Sequence, residues 1–145
     1  MEAQKLHRGR LIDHIQLVVR DLESSKRFYS AVFEVLGIDL VETEHGFFYA
    51  DELVVSSADS EASEGRLTGR VHLAFQAKDR EQVQAVYDAA LANGGTDHGA
   101  PGERQQYHPG YFAGYFLDPD GSNIEAVYHG EADRSADSIE INFKQ

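Results

Sequence analysis

The chain has 145 residues, 41% of them hydrophobic and 26% charged, which fits one globular domain of ordinary size and excludes an intrinsically disordered composition. Its 13 basic and 25 acidic side chains give a net charge of −12 at pH 7, a sign that repels both a nucleic-acid backbone and an anionic membrane surface. With no cysteine, disulfides, zinc–thiolate sites, iron–sulfur clusters and thiol catalysis are excluded, so any metal must be held by nitrogen and oxygen. No run approaches the ~20 apolar residues of a spanning helix. MEAQKLHRGR has no secretion-signal pattern, so a cytoplasmic protein is expected.

Residues 1–10 read as an N-terminal extension and 11–130 as the domain. Residues 12–19 alternate and are rich in β-branched types, predicting a strand with Ile15, Leu17 and Val19 on one face and His14, Gln16 and Val18 on the other. Asp21 stands where a helix N-cap belongs, and Gly37 where that helix ends. Short β-like pieces follow at 38–43, 46–50 and 53–57, and the first module closes at residue 59. The small, polar, acidic stretch 60–69 reads as a linker.

The second module, 70–130, opens with a strand at 71–77, where Leu73, Phe75 and Ala77 oppose His72, Ala74 and Gln76. Asp79 is the next N-cap, and Val83, Val86, Tyr87, Ala90 and Leu91 keep the spacing of one apolar helical stripe. Asn93-Gly94-Gly95 ends this helix, and His98 with Gly99-Ala100-Pro101-Gly102 is expected to be loop. A hairpin then joins strands at 110–117 and 123–129 through Asp118-Pro119-Asp120-Gly121, whose proline and glycine positions suit a type I turn. On the last strand, Ile124, Ala126 and Tyr128 are expected to meet the helices, leaving Asn123, Glu125, Val127 and His129 on the other face. Residues 131–145 read as a solvated tail, in which Ile139, Ile141 and Phe143 alternate and allow a late edge strand.

The chain repeats itself. A shift of 58 residues lays 13–37 over 71–95 without a gap, and six of the 25 positions are identical: His14/His72, Asp21/Asp79, Glu23/Glu81, Tyr29/Tyr87, Ala31/Ala89 and Gly37/Gly95. The expected architecture is α+β, two tandem βαβββ units with helices outside curved sheets. The repeat puts His14 and His72 at equivalent strand positions, and Glu125 is a carboxylate on a strand face that needs a partner if buried. Two imidazoles and one carboxylate with open positions make a working divalent-metal site. From spacing alone, a strand histidine is more often a hydrogen-bonded polar residue than a ligand, and these residues read that way too. Tyr107 and His108, with Tyr111 and Tyr115 around Pro109-Gly110, supply phenol and imidazole groups suited to donating to an oxyanion or moving a proton, or alternatively a self-packing aromatic hairpin. Gln16 and Gln76 share faces with the two histidines and are candidate pocket lining. His7, His45 and His129 have no corroborating partner in the sequence.

DHIQLVVRDLESSKRFYSAVFEVLG, GRVHLAFQAKDREQV and YHPGYFAGYFLDPDGSNIEAVYH together resemble the vicinal oxygen chelate superfamily, the glyoxalases, bleomycin-resistance proteins and extradiol dioxygenases, over residues 11–130. That resemblance implies paired modules forming a half-open mixed β-barrel around a divalent ion such as Fe, Mn, Zn or Ni. It implies His14, His72 and Glu125 as ligands and a homodimer acting on a small molecule. Four-ligand glyoxalases carry a further Glu on the fourth strand, where LVVSS has none and Glu52 comes early. The implied activity is metal-dependent isomerisation or lysis, ring-opening oxygenation, or transfer, with Tyr107 and His108 as acid, base or anion donor. The alternative of a different class is a metal-free protein that sequesters a small molecule, as bleomycin-resistance proteins do.

Overall fold

The structure is a computed structural model that describes residues 5–60, 63, 65–133, 135 and 138–142. The first part runs β1 (Lys5–Arg8), β2 (Ile15–Val19), α1 (Leu22–Leu36), β3 (Val41–Glu42), β4 (Phe47–Ala50) and β5 (Leu53–Ser57). The second runs β6 (His72–Gln76), α2 (Arg80–Ala92), β7 (Thr96–Glu103), β8 (Phe112–Leu117) and β9 (Asn123–Tyr128), followed by β10 (Ile139–Asn142). Two four-stranded sheets share one strand order, β2-β5-β4-β3 and β6-β9-β8-β7. In each, the first pair is parallel and the others antiparallel. The predicted α+β class and the βαβββ repeat are what the chain forms, with open mixed sheets.

The chain divides into two compact units. One gathers β1 to β5 with β10; the other gathers β6 to β9 with α2 and, from Glu23 onward, α1. In the first unit Leu17, Val19, Phe48 and Val55 are buried, and the Val18 N–H donates to Thr68 Oγ1 at 2.7 Å. The N-terminal stretch is more than an extension there: β1 pairs antiparallel with β10, from Lys5 opposite Asn142 to Arg8 opposite Ile139. The alternation of Ile139 and Ile141 thus becomes a strand, while Phe143 lies outside the described residues.

In the second unit both helices cover one face of the sheet. α1 buries Phe28, Tyr29, Val32 and Phe33, the i, i+3, i+4 spacing of one apolar stripe. Phe28 meets Phe116 of β8 at 5.8 Å between ring centres, and Phe33 meets Phe75 of β6 at 5.5 Å. From α2, Tyr87 meets the same Phe116. Asp79 caps α2 as expected, accepting from the Gln82 N–H at 2.7 Å, and Gln82 Nε2 donates to Val35 O of α1. The turn after β8 is closed by Gly121 N–H to Asp118 O at 2.9 Å. Asp118, itself buried, also accepts from Ser122 N–H, Asp120 N–H and the Tyr29 hydroxyl, so the turn is bolted to α1. One expectation is corrected. The glycine-rich stretch around His98 is strand β7 and not loop, paired with β8 through two irregularities, between Asp97 and Gly99 and between Gly99 and Gly102. It is the outermost strand of its sheet, where bulges, glycine and proline are tolerated.

With the helices on the Ile124, Ala126 and Phe116 side, alternation aims His72, Asn123, Glu125 and Tyr115 at the opposite face.

Candidate metal and substrate site

On that opposite face, β6 and β9 run parallel with Ala74 opposite Glu125 and His72 opposite Asn123. Glu125 is 2% exposed, and burying a carboxylate costs several kcal/mol unless its oxygens find partners. Both do. Its Oε1 lies 3.0 Å from His72 Nε2, and its Oε2 accepts from the Tyr111 hydroxyl. The other ring nitrogen of His72, Nδ1, lies 2.9 Å from the carbonyl oxygen of Asn123. A carbonyl only accepts, so Nδ1 carries the hydrogen and a neutral His72 presents the Nε2 lone pair to Glu125. Two acceptors then face each other. A cation or a shared proton between them reconciles the two.

The donor set suits a divalent ion. A ligating histidine typically anchors its far nitrogen on a carbonyl or carboxylate, as His72 does. Two donors each about 2.1 Å from an ion and at right angles to one another stand about 3 Å apart. Asn123 Oδ1, on the same face, is buried without a hydrogen-bond partner. Among the described residues, however, no group of three or more His, Asp or Glu side chains is gathered closely enough to hold an ion. The second unit brings two of the expected ligands together, His72 and Glu125.

Around this pair stand two phenols. Burial first, and then the bond to Glu125, pushes the Tyr111 phenol well above its ordinary range. Burial and the Glu125 charge also raise that of Tyr115. Both remain neutral donors at physiological pH. Tyr115 pairs with Glu125 across β8 and β9, and its ring centre is 6.3 Å from that of His72. Tyr107 is 61% exposed and packs on Tyr111 at 4.8 Å. His108 stands edge-on to Tyr111 with ring centres 5.3 Å apart. It holds His129, Nε2 to Nδ1 at 2.9 Å, while its own Nδ1 donates to Pro109 O. His129 had no visible partner in the sequence. The signal was its position two pairs beyond Glu125 on the same alternating face. Gln76 stands exposed on β6.

The other two candidates belong to the first unit. His14 immediately precedes β2, and its Nδ1 contacts Asp13 Oδ1 at 2.6 Å, an oxygen that Arg8 also reaches at 2.8 Å. The His14 bond, assisted by the Arg8 charge, holds the Asp13 carboxyl below its usual value. Like His72, His14 thus anchors Nδ1 on an oxygen and leaves Nε2 free to bind. Gln16 Nε2 donates to Ser56 Oγ at 2.8 Å.

Comparison with known proteins gives the family. The model for the Glyoxalase/Bleomycin resistance protein/Dioxygenase superfamily matches residues 11–126. The chain belongs to this superfamily. A glyoxalase/bleomycin resistance protein from Albidiferax ferrireducens T118 is 31% identical, with a TM-score of 0.65 over 81% of this chain and 97% of that one. A glyoxalase/bleomycin resistance protein/dioxygenase family enzyme from Burkholderia phytofirmans PsJN has a TM-score of 0.63 at 22% identity, covering 79% and 95%. A lactoylglutathione lyase from Agrobacterium tumefaciens has the same fold, with a TM-score of 0.57 at 19% identity, covering 82% and 93%. No curated protein matches. Register also shows what stands on β5 at the place that mirrors Glu125. Gln16 is the counterpart of Ala74 in the repeat, and it pairs with Val54 where Ala74 pairs with Glu125. A valine therefore occupies the place equivalent to Glu125.

Proposed function

We propose that the chain is a metal-dependent enzyme acting on a small substrate through two neighbouring oxygens, with His72 and Glu125 as ligands. The observation that carries this reading is the His72 ring, anchored at Nδ1 on a carbonyl with Nε2 directed at a buried carboxylate. His14 takes the third ligand place by the family pattern, and Val54 in place of a carboxylate favours a His₂Glu set over a four-ligand one. Fe, Mn, Zn or Ni suits such donors. A divalent ion supplies Lewis-acid polarisation of a substrate oxygen. Tyr111, kept neutral, spends its one hydrogen on Glu125 and holds that carboxylate in place, which leaves Tyr115 as the phenol to donate to developing negative charge on a substrate oxygen. Tyr107 and His108 are the candidate acid, base or anion donor, and Gln76 and Tyr115 the candidate lining; Gln16 is the corresponding candidate of the first unit. Isomerisation or lysis, ring-opening oxygenation and transfer are all compatible with these parts. The reading includes a cytoplasmic homodimer, which mass in solution tests for its subunit number.

Titration of chelator-treated protein with Mn²⁺ or Zn²⁺, followed by calorimetry and elemental analysis, tests the centre. One ion per chain is expected. His72→Ala and Glu125→Gln should each lower affinity at least ~100-fold, and His14→Ala should lower it as well. Absence of stoichiometric uptake by the wild type would overturn the enzyme reading in favour of a metal-free small-molecule binder. Uptake unchanged in His14→Ala would remove that residue from the ligand set.

A further inference from the structure

Across the sheet of the second unit, one row of register partners runs Ala74 on β6, Glu125 on β9, Tyr115 on β8 and Gly99 on β7. Partners in a row point to the same face. The row thus carries Glu125, the partner of His72, toward one end and a phenol in the middle. At the far end the strand offers no side chain, because Gly99 and Gly102 stand there. What fills the space is the guanidinium of Arg104.

The seat is built for it. A Cβ at Gly102 would lie 2.8 Å from Arg104 Nη1, and one at Gly99 would lie 3.2 Å from the Tyr115 ring and 3.6 Å from Nη2. Gly99 also has φ of +143°, which disfavours any side chain. Nη2 donates to Ala100 O at 2.8 Å, the Arg104 N–H donates to Tyr111 O at 2.7 Å, and the guanidinium lies 5.4 Å from the Tyr115 ring centre. Arg104 is half-buried, yet among the described residues no carboxylate comes within ion-pair distance of it. One carbonyl occupies only part of a group with five N–H donors in a fork that matches a carboxylate. Strands about 4.8 Å apart put the β7 position about 10 Å from Glu125, within the span of a short-chain ligand.

We propose that Arg104 binds a carboxylate at the far end of the substrate, so that the site selects short oxo- or hydroxy-acids with chelating oxygens at one end and a second anion at the other. The chelating half of this statement rests on the metal reading above; the guanidinium seat does not. The two are tested separately.

Binding of 2-oxoglutarate and of 2-oxopentanoate, which share a chelating head and differ in the tail charge, is compared by calorimetry on Mn²⁺-loaded protein. Wild type should prefer 2-oxoglutarate by about tenfold or more, the range of a charge-assisted hydrogen bond. Arg104→Gln should bind both alike, with affinity for 2-oxopentanoate and for Mn²⁺ unchanged. Gly102→Ala, which displaces the guanidinium, should narrow the preference in the same direction. A merely structural role for Arg104 as a cover on Tyr115 would weaken both probes equally, and that result would overturn the proposal. So would equal binding by the wild type. In a metal-free arm, glutarate should raise the melting temperature of wild type and not of Arg104→Gln. Failure of that arm counts against Arg104 alone, whereas failure of Mn²⁺ uptake counts against the metal reading alone.

Discussion

Glu125 has one oxygen facing an imidazole and the other facing a phenol, and very little water reaches either. Removing the phenol leaves a buried carboxylate oxygen unpaired. Tyr111→Phe should therefore destabilise the fold by about 1–3 kcal/mol, read from urea unfolding, even where no substrate is present. It should also weaken Mn²⁺ binding by about 10-fold or more, read by calorimetry, because the phenol orients a proposed ligating carboxylate. The repeat singled out His72 with His14, and the alternation of 123–129 singled out Glu125; that His72 and Glu125 belong together was implied only by the resemblance. The bond from Tyr111 was not legible in the sequence, because four aromatic side chains cluster around one Pro-Gly and only the turn decides which faces inward. Tyr107, equally plausible by type, ends up mostly in solvent.

Among the elements, the Asp118 turn illustrates a short motif with a long reach. Its Pro-Asp-Gly composition announced the turn, but nothing local announced that Asp118 would accept from Tyr29, 89 residues away. Tyr29→Phe should cost about 1.5–3 kcal/mol, since it deletes a hydrogen bond to a buried charged group. Burial, and after it the Asp118 charge, raises the Tyr29 phenol well above its ordinary value. A raised folded-state value means that this contribution is whole below about pH 10 and is lost as pH rises toward the folded value. Unfolding free energies at pH 8 and pH 10.5 should accordingly converge in Tyr29→Phe more than in wild type. Part of the alkaline loss should persist, because Tyr87, Tyr111 and Tyr115 are raised too. Strand β7 was illegible for a different reason. Glycine and proline are the strongest local breakers, yet at a sheet edge the missing N–H and the absent side chains do no harm. The pairing of β1 with β10 joins residues at opposite ends of the chain, a partnership that periodicity cannot encode.

For the whole molecule, charge is the governing quantity. Residues 42–65 hold seven acidic side chains and no Lys or Arg, so repulsion in the first unit and its following segment is concentrated. Raising ionic strength from about 10 mM to 150 mM shortens the screening length from about 30 Å to about 8 Å. The melting temperature of the wild type should rise over that interval, and a scan at both salts checks it. A flat response would mean that the acidic side chains are already compensated by neighbours.

The helix α1 lies in sequence between strands of the first sheet but buries its aromatic stripe against the second. The copied segment of sequence and the compact unit of structure are therefore not the same object. An ancestral half-length gene could not have packed its helix in this way within a single unit; it would have needed a second copy to receive it. Cutting the present chain at the linker should reproduce that dependence, leaving an N-terminal fragment with Phe28, Tyr29, Val32 and Phe33 uncovered and prone to associate until the C-terminal fragment is added back.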